Sequence, residues 1–249
     1  MDTQPRGAGS RFTISCANAR FCMAVNGIGD ALAYDGNAWS APVNVDPEGL
    51  ESVACSSGGL YAAVDIGGSA LIYSRGTWSA PVPVSKGYTL EGVSCPSARS
   101  CFAVNDNGDV FAYDGTAWSA PTLVDTDSGT ASISCSSTRF CMIVEPADDV
   151  ITYNGARWGA RRHITILSVP GANVGAPPGS LTAITCTSST FCVWSDETGH
   201  VYLYDGKDWG WVQAVDPSAD IVILSCPTKE FCLEGDTDGS VIVGTPTKA

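Results

Sequence analysis

The stretch SCANARFC, residues 15–22, sets two cysteines six positions apart across a short polar loop, and near-copies of it recur along the chain. They read SCPSARSC (94–101), SCSSTRFC (134–141), TCTSSTFC (185–192) and SCPTKEFC (225–232). A sixth copy, ACSSGGLY (54–61), carries Tyr61 where the second cysteine would stand. The first cysteines, Cys16, Cys55, Cys95, Cys135, Cys186 and Cys226, follow one another at steps of 39, 40, 40, 51 and 40 residues. A period near forty belongs to solenoids, propellers and arrays.

Within a unit the order is constant. An apolar run such as RFTISC (11–16) enters the cysteine loop, and FCMAV (21–25), a Gly-bearing turn, ALAYDG (31–36) and AWSAPVNV (38–45) follow. Each piece is short, rich in β-branched or aromatic residues and bounded by Gly, Asn, Asp or Pro, which reads as four strands joined by hairpins. Six such units make an all-β, six-bladed β-propeller with four antiparallel strands per blade, a closed sheet architecture without long exposed edges. The expected blades are 11–49, 50–89, 90–129, 130–180, 181–220 and 221–249, in one domain. The last unit stops at VIVGTPTKA (241–249) without a Trp strand, so residues 1–10 are the segment that could close it.

The staple then has a meaning: it closes the first hairpin of a blade. The expected bridges are Cys16–Cys22, Cys95–Cys101, Cys135–Cys141, Cys186–Cys192 and Cys226–Cys232, which puts intra-blade disulfides in five of six blades and leaves Cys55 as a free buried thiol. Blade two shows that one bridge is dispensable, which marks the pairs as structural. The spacing does not suit a structural zinc site, and the chain has only two His. A second recurrent text, YDGNAW, YDGTAW, YNGARW and YDGKDW with YSRGTW displaced by one, combines tight-turn chemistry with a Trp that opens the outer strand. Trp39, Trp78, Trp118, Trp158 and Trp209 are expected to pack between blades rather than to stack on sugars.

The combined pattern of SC, five residues, C, AV, a Gly turn, YDG and WSAP resembles a class of cysteine-bearing propeller repeats in secreted actinobacterial proteins. The resemblance covers nearly the whole chain. It implies the fold and an extracellular setting, and it brings no single activity with it.

Composition narrows the function. With 26 Asp plus Glu against 13 Lys plus Arg, the net charge is −13, which repels nucleic acid and anionic membrane. The chain holds no apolar run long enough for a spanning helix. It lacks a basic n-region followed by an apolar h-region, so it reads as a mature secreted domain whose Met1 is an expression start codon. Ten cysteines in evenly spaced pairs fit an oxidising compartment.

Departures from the repeat locate the expected site. In a four-stranded blade the cysteine loop and the YDG turn lie on one face, so variation should gather on the other. The link after blade four is about eleven residues longer than its equivalents and contains LSVPGANVGAPPGS (167–180), so the 165–180 loop reads as a rim or lid. Two positions after the second cysteine stand Ala24, Ala63, Ala103 and Ile143, but Trp194 and Glu234 in blades five and six. A Trp beside carboxylates is an apolar platform with a polar handle. The first functional reading is therefore lectin-like recognition of a glycan or other small molecule by a monomer, with Trp194 stacking and Glu234, Glu197 and His200 supplying polar contacts.

The second reading is an enzyme, a lyase, hydrolase or cyclase. Glu51 and Glu91 occupy one inner-strand position in neighbouring blades where the others have Phe12, Ala131, Thr182 and Val222. Such a pair could act as acid and base with His200. The third is a scaffold whose acidic face holds a basic protein. The second strands end in Asn26, Asp65, Asn105, Glu145, Asp196 and Asp236, which read mainly as Asx-type turn residues. Their oxygens could take Ca²⁺, but no EF-hand loop or RTX nonapeptide is present, and no cofactor is expected.

Overall fold

The computed structural model describes residues 12–18, 20–125, 129, 132–145, 149–164, 181–196, 198–214, 221–236 and 241–244. Among these the protein is an all-β, six-bladed β-propeller in which strands, turns and bends are the only ordered elements. Blade one comprises Phe12–Asn18, Phe21–Asn26, Asp30–Tyr34 and Val43–Asn44, paired in that order. The first strands of the following blades are Leu50–Cys55, Leu90–Ser97, Ser132–Ser137, Leu181–Ser188 and Ile221–Thr228. Blade six has three strands among the described residues, ending with Val241–Gly244. Residues 1–10, expected to close it, lie outside the described residues.

The five expected disulfides all form, each across the first hairpin of its blade, with Cα–Cα separations of 3.9–4.1 Å. In blade two Cys55 pairs with Tyr61 in the same register and stays free. The Tyr61 ring fills the gap by stacking on Phe21 of blade one at 4.7 Å.

The serine before the cysteine has its own task. Ser15 Oγ accepts the Cys55 N–H (2.9 Å), Ser134 Oγ the Cys186 N–H (2.9 Å) and Thr185 Oγ1 the Cys226 N–H (3.4 Å), so each hydroxyl ties its blade to the next. Blade two has Ala54 here, and Ser52 takes over by accepting the Val93 N–H two residues earlier (3.3 Å).

The second recurrent text is also explained locally. Asp35, Asp114, Asn154 and Asp205 each accept two backbone N–H groups of their own turn. In each of these blades the Tyr before that turn meets the Trp after it, at 5.1–5.4 Å between ring centroids. The displaced YSRGTW of blade two is a two-residue hairpin with Arg75 at φ 52° and Gly76 at φ 86°, and Trp78 meets Tyr73 at the same five-residue spacing as in the other blades. The expectation that these Trp rings pack between blades is met by Trp78, Trp118 and Trp209, which lie against the apolar layers shared by neighbouring blades. The common partner of all five is the Tyr of their own blade, and of the five only Trp209 is buried, while Trp39 is 44% exposed.

The chain divides into two compact units, Met1–Asn105 with Phe111–Ala120, and Asp106–Val110 with Pro121–Ala249. In the first, alternate residues of one strand face opposite neighbours: Ala63 joins Met23, Val25 and Val53, whereas Ala62 and Val64 join Leu90, Val93 and Phe111. In the second, Trp194 joins Met142 and Val144 of blade four, whereas Val193 joins Leu224 of blade six. Both faces of these sheets are therefore covered, which is why the strands read as short apolar runs rather than as alternating ones.

Candidate functional site

The turn between second and third strands and the link to the next blade form one end of each blade. At this end Val45, Val84 and Val124 donate to the carbonyls of Gly29, Gly68 and Gly108 (2.8–3.0 Å). Gly29 runs at φ 83° so close to the Asp46 carbonyl that no Cβ would fit. At the opposite end the YDG turn packs on the cysteine loop, Gly36 on Arg20, Gly155 on Arg139 and Gly206 on Thr190.

Under the turns, the residue ending a second strand meets the residue that begins the preceding link. Asn105 Nδ2 donates to Ser85 Oγ at 2.9 Å, a neutral pair with both partners buried. Two other junctions hold acids instead. Asp46 and Asp65 are 1% and 2% exposed. Asp65 Oδ1 accepts the Ser69 N–H and Asp46 Oδ1 the Glu48 N–H, while Asp46 Oδ2 is buried with no donor on it. Burial, opposed by the Glu48 N–H and reinforced by the carboxylates of Asp65 and Glu48, raises the Asp46 pKa.

In the second unit Asp125 faces Glu145, which is 4% exposed and whose Oε2 is likewise buried with no donor. Burial first, then the neighbouring Asp125, pushes Glu145 up to about 8, while Arg161 opposes and Asp149 adds. Arg161 bridges Asp125 at 3.3 Å and Asp149 at 3.6 Å, and His163 Nδ1 lies 3.2 Å from Asp149. Two carboxyl groups in such contact hold one proton between them.

Asn26, Asp65 and Asp196 cap their own turns as the repeat predicts. Asp196 is fully buried. Burial pushes it up, yet the N–H groups of His200 and Thr198, the Thr198 hydroxyl and the Tyr202 hydroxyl at 2.9 Å together hold it below the usual carboxylate range. His200 lies beside it, with Nδ1 2.7 Å from Thr198 Oγ1 and 3.5 Å from Asp196 Oδ2. The Thr198 hydroxyl donates to Asp196, which leaves His200 Nδ1 as the donor to Thr198 Oγ1.

The expected stacking platform is corrected. Trp194 is 0% exposed, stacked on Trp209 at 4.3 Å and edge-on to Tyr202 at 5.3 Å, with Nε1 buried and without an acceptor. Strand alternation turns this position into the layer between blades, so the ring offers no face to a sugar. Glu234, at the same position one blade on, is 5% exposed, and burial pushes it up to about 7, with Oε2 unpartnered. It is no rim acceptor either. Glu197 and the 165–180 loop lie outside the described residues.

Glu51 and Glu91 are half-buried, each at the bulge of a first strand, between Leu50 and Ser52 and between Leu90 and Gly92. Carboxyl groups meet at Asp46–Asp65 and Asp125–Glu145 among the described residues. Glu145 carried a usable signal in the sequence: its side chain is a methylene too long for the Asx cap that its equivalents make. No group of three or more metal-ligating side chains occurs among the described residues.

No family model matches the chain, and neither does any curated protein. Solved structures do match. The structure of YCF48 bound to D1 peptide aligns with a TM-score of 0.64 at 14% identity, over 97% of this chain and 83% of that one. The structure of U3-55K aligns with a TM-score of 0.74 at 10% identity, over 96% of this chain and 79% of that one. At such identities the likeness is one of fold: this chain shares the β-propeller architecture.

Proposed function

We propose that this chain is a secreted recognition propeller that binds a cationic protein or peptide through the turn-and-link end of its blades. The observation that carries this reading is the charge there. In the first unit that end bears Asp30, Asp46, Glu48 and Asp65 against Lys86, and in the second Asp106, Asp109, Asp125, Glu145 and Asp149 against Arg161 and His163. The opposite end mixes Arg20, Arg99, Arg139 and Lys207 with its turn aspartates. A field of one sign attracts the opposite charge and speeds its encounter.

The peptide bound in the YCF48 structure supports the same use of the fold, and the five disulfides fit an oxidising, extracellular setting. The glycan reading loses the stacking face that carried it. Binding of a Lys-rich peptide, followed at 50 and 300 mM salt with native protein and Glu48→Lys, tests the proposal. Affinity should fall with salt and fall further in the variant; indifference to both would remove the electrostatic basis.

A further inference from the structure

The turns of blades one and two depart from the others in one respect. At the first central position stand Gly27, Ile66 and Asp106, and at the second Ile28, Gly67, Asn107 and Thr198, so only the first two turns present an isoleucine. Ile28 is 51% exposed, Ile66 45%, and Tyr88, in the link after blade two, 45%. The repeat does not need these side chains for packing, since polar residues fill the same turns of blades three and five.

Backbone contacts make the three neighbours within the first unit. The Gly27 carbonyl lies where a side chain on Gly49 would sit, and Ile66 N–H donates to the Gly49 carbonyl at 3.3 Å. Thr89 Oγ1 donates to the Ile66 carbonyl at 3.1 Å, and the Tyr88 carbonyl packs on Gly68. Both turns and both links are thus pinned to one another, and three large apolar side chains stand on a fixed backbone. Carboxylates border them: Glu48 lies across Gly67, with Asp46 and Asp65 beneath and Asp30 beside, against Lys86 alone. Exposed apolar groups held on rigid backbone and rimmed by one sign of charge are the usual makings of an interface.

We infer that Ile28, Ile66 and Tyr88 form a docking strip for a peptide segment that interleaves basic and apolar side chains, the apolar ones seated on the strip and the basic ones on Glu48 and Asp30. This rests on the recognition reading above and names its site and partner chemistry. Charge complementarity decides the occupant: a second copy of this chain would bring the same carboxylates to the same place.

The test is the panning of a random dodecapeptide library on the full native chain, repeated on Ile28→Ser/Ile66→Ser/Tyr88→Ser and on Leu123→Ser, whose side chain is exposed elsewhere. Circular dichroism checks that the variants keep the fold. The expected result is enrichment of sequences mixing Lys or Arg with Leu, Ile or Phe, bound at least about tenfold more weakly by the triple variant and equally well by Leu123→Ser. Enriched basic peptides bound equally by all three proteins would overturn the strip while leaving cationic recognition standing. Enrichment of acidic or uncharged peptides, or of none, would overturn both.

Discussion

Glu145 is the residue whose chemistry departs furthest from its place in the repeat. Its folded pKa near 8 lies above the 4.5 of a free glutamate, so the folded state binds the extra proton. Stability from this group is therefore complete below pH 4.5 and is lost progressively as pH rises towards 8. Glu145→Gln supplies a neutral partner for Asp125, as Asn105 does for Ser85, and should raise the melting temperature at pH 8.5 while changing it little at pH 4.5. A variant that melts in parallel with the native protein at both values would show that no proton is shared there. Trp194 makes the opposite case. Trp194→Ala removes the largest fully buried side chain among the described residues and should cost about 3–5 kcal/mol in urea unfolding, and a loss below about 1 kcal/mol would contradict its packing.

Strands and turns were largely legible in the sequence because their signals are local. The cysteine spacing, the Asx-Gly turns and the short apolar runs each constrain a few adjacent residues. What was not legible depends on the neighbouring blade. Nothing next to Trp194 in the chain says that Trp209 and Tyr202 make room for it, so a bulky residue in a small slot read as an exposed one. Asp46 and Asp125 meet the second strand of the following blade nineteen or twenty residues on, and no short window contains both members of a pair. The serine of the SC motif is a similar instance: its partner is an N–H one blade away. Ser134→Ala should leave the Cys186 N–H without its acceptor and cost about 1–2 kcal/mol. An unchanged urea midpoint would show that water replaces the hydroxyl.

Across the whole molecule, stability rests on repetition of a small device. Each disulfide closes a loop of sequence separation 6, and in the chain-entropy picture such a loop contributes about 2 kcal/mol. Five of them together rival the net stability of an ordinary domain, about 5–15 kcal/mol. Protein reduced under denaturing conditions and returned to native buffer with reductant should therefore melt far below the oxidised form, by more than any single substitution achieves. Melting within a few degrees of the oxidised form would assign the stability to the apolar layers alone. The same reasoning places the protein where oxidants keep the staples closed.

The unstapled blade also gives the molecule a built-in clock. Cys55 is the one free thiol, and burial, opposed by hydrogen bonds at Met23 and Ser15, pushes it up to about 12. Only the thiolate is alkylated, so at neutral pH the closed blade barely reacts, and each modification records a moment when the first hairpin of blade two has parted from blade one. The rate of iodoacetamide uptake, followed by mass across a urea series, therefore counts local openings at a single known place without any engineered label. Uptake as fast as that of a free cysteine in dilute buffer would mean that the hairpin is already open most of the time.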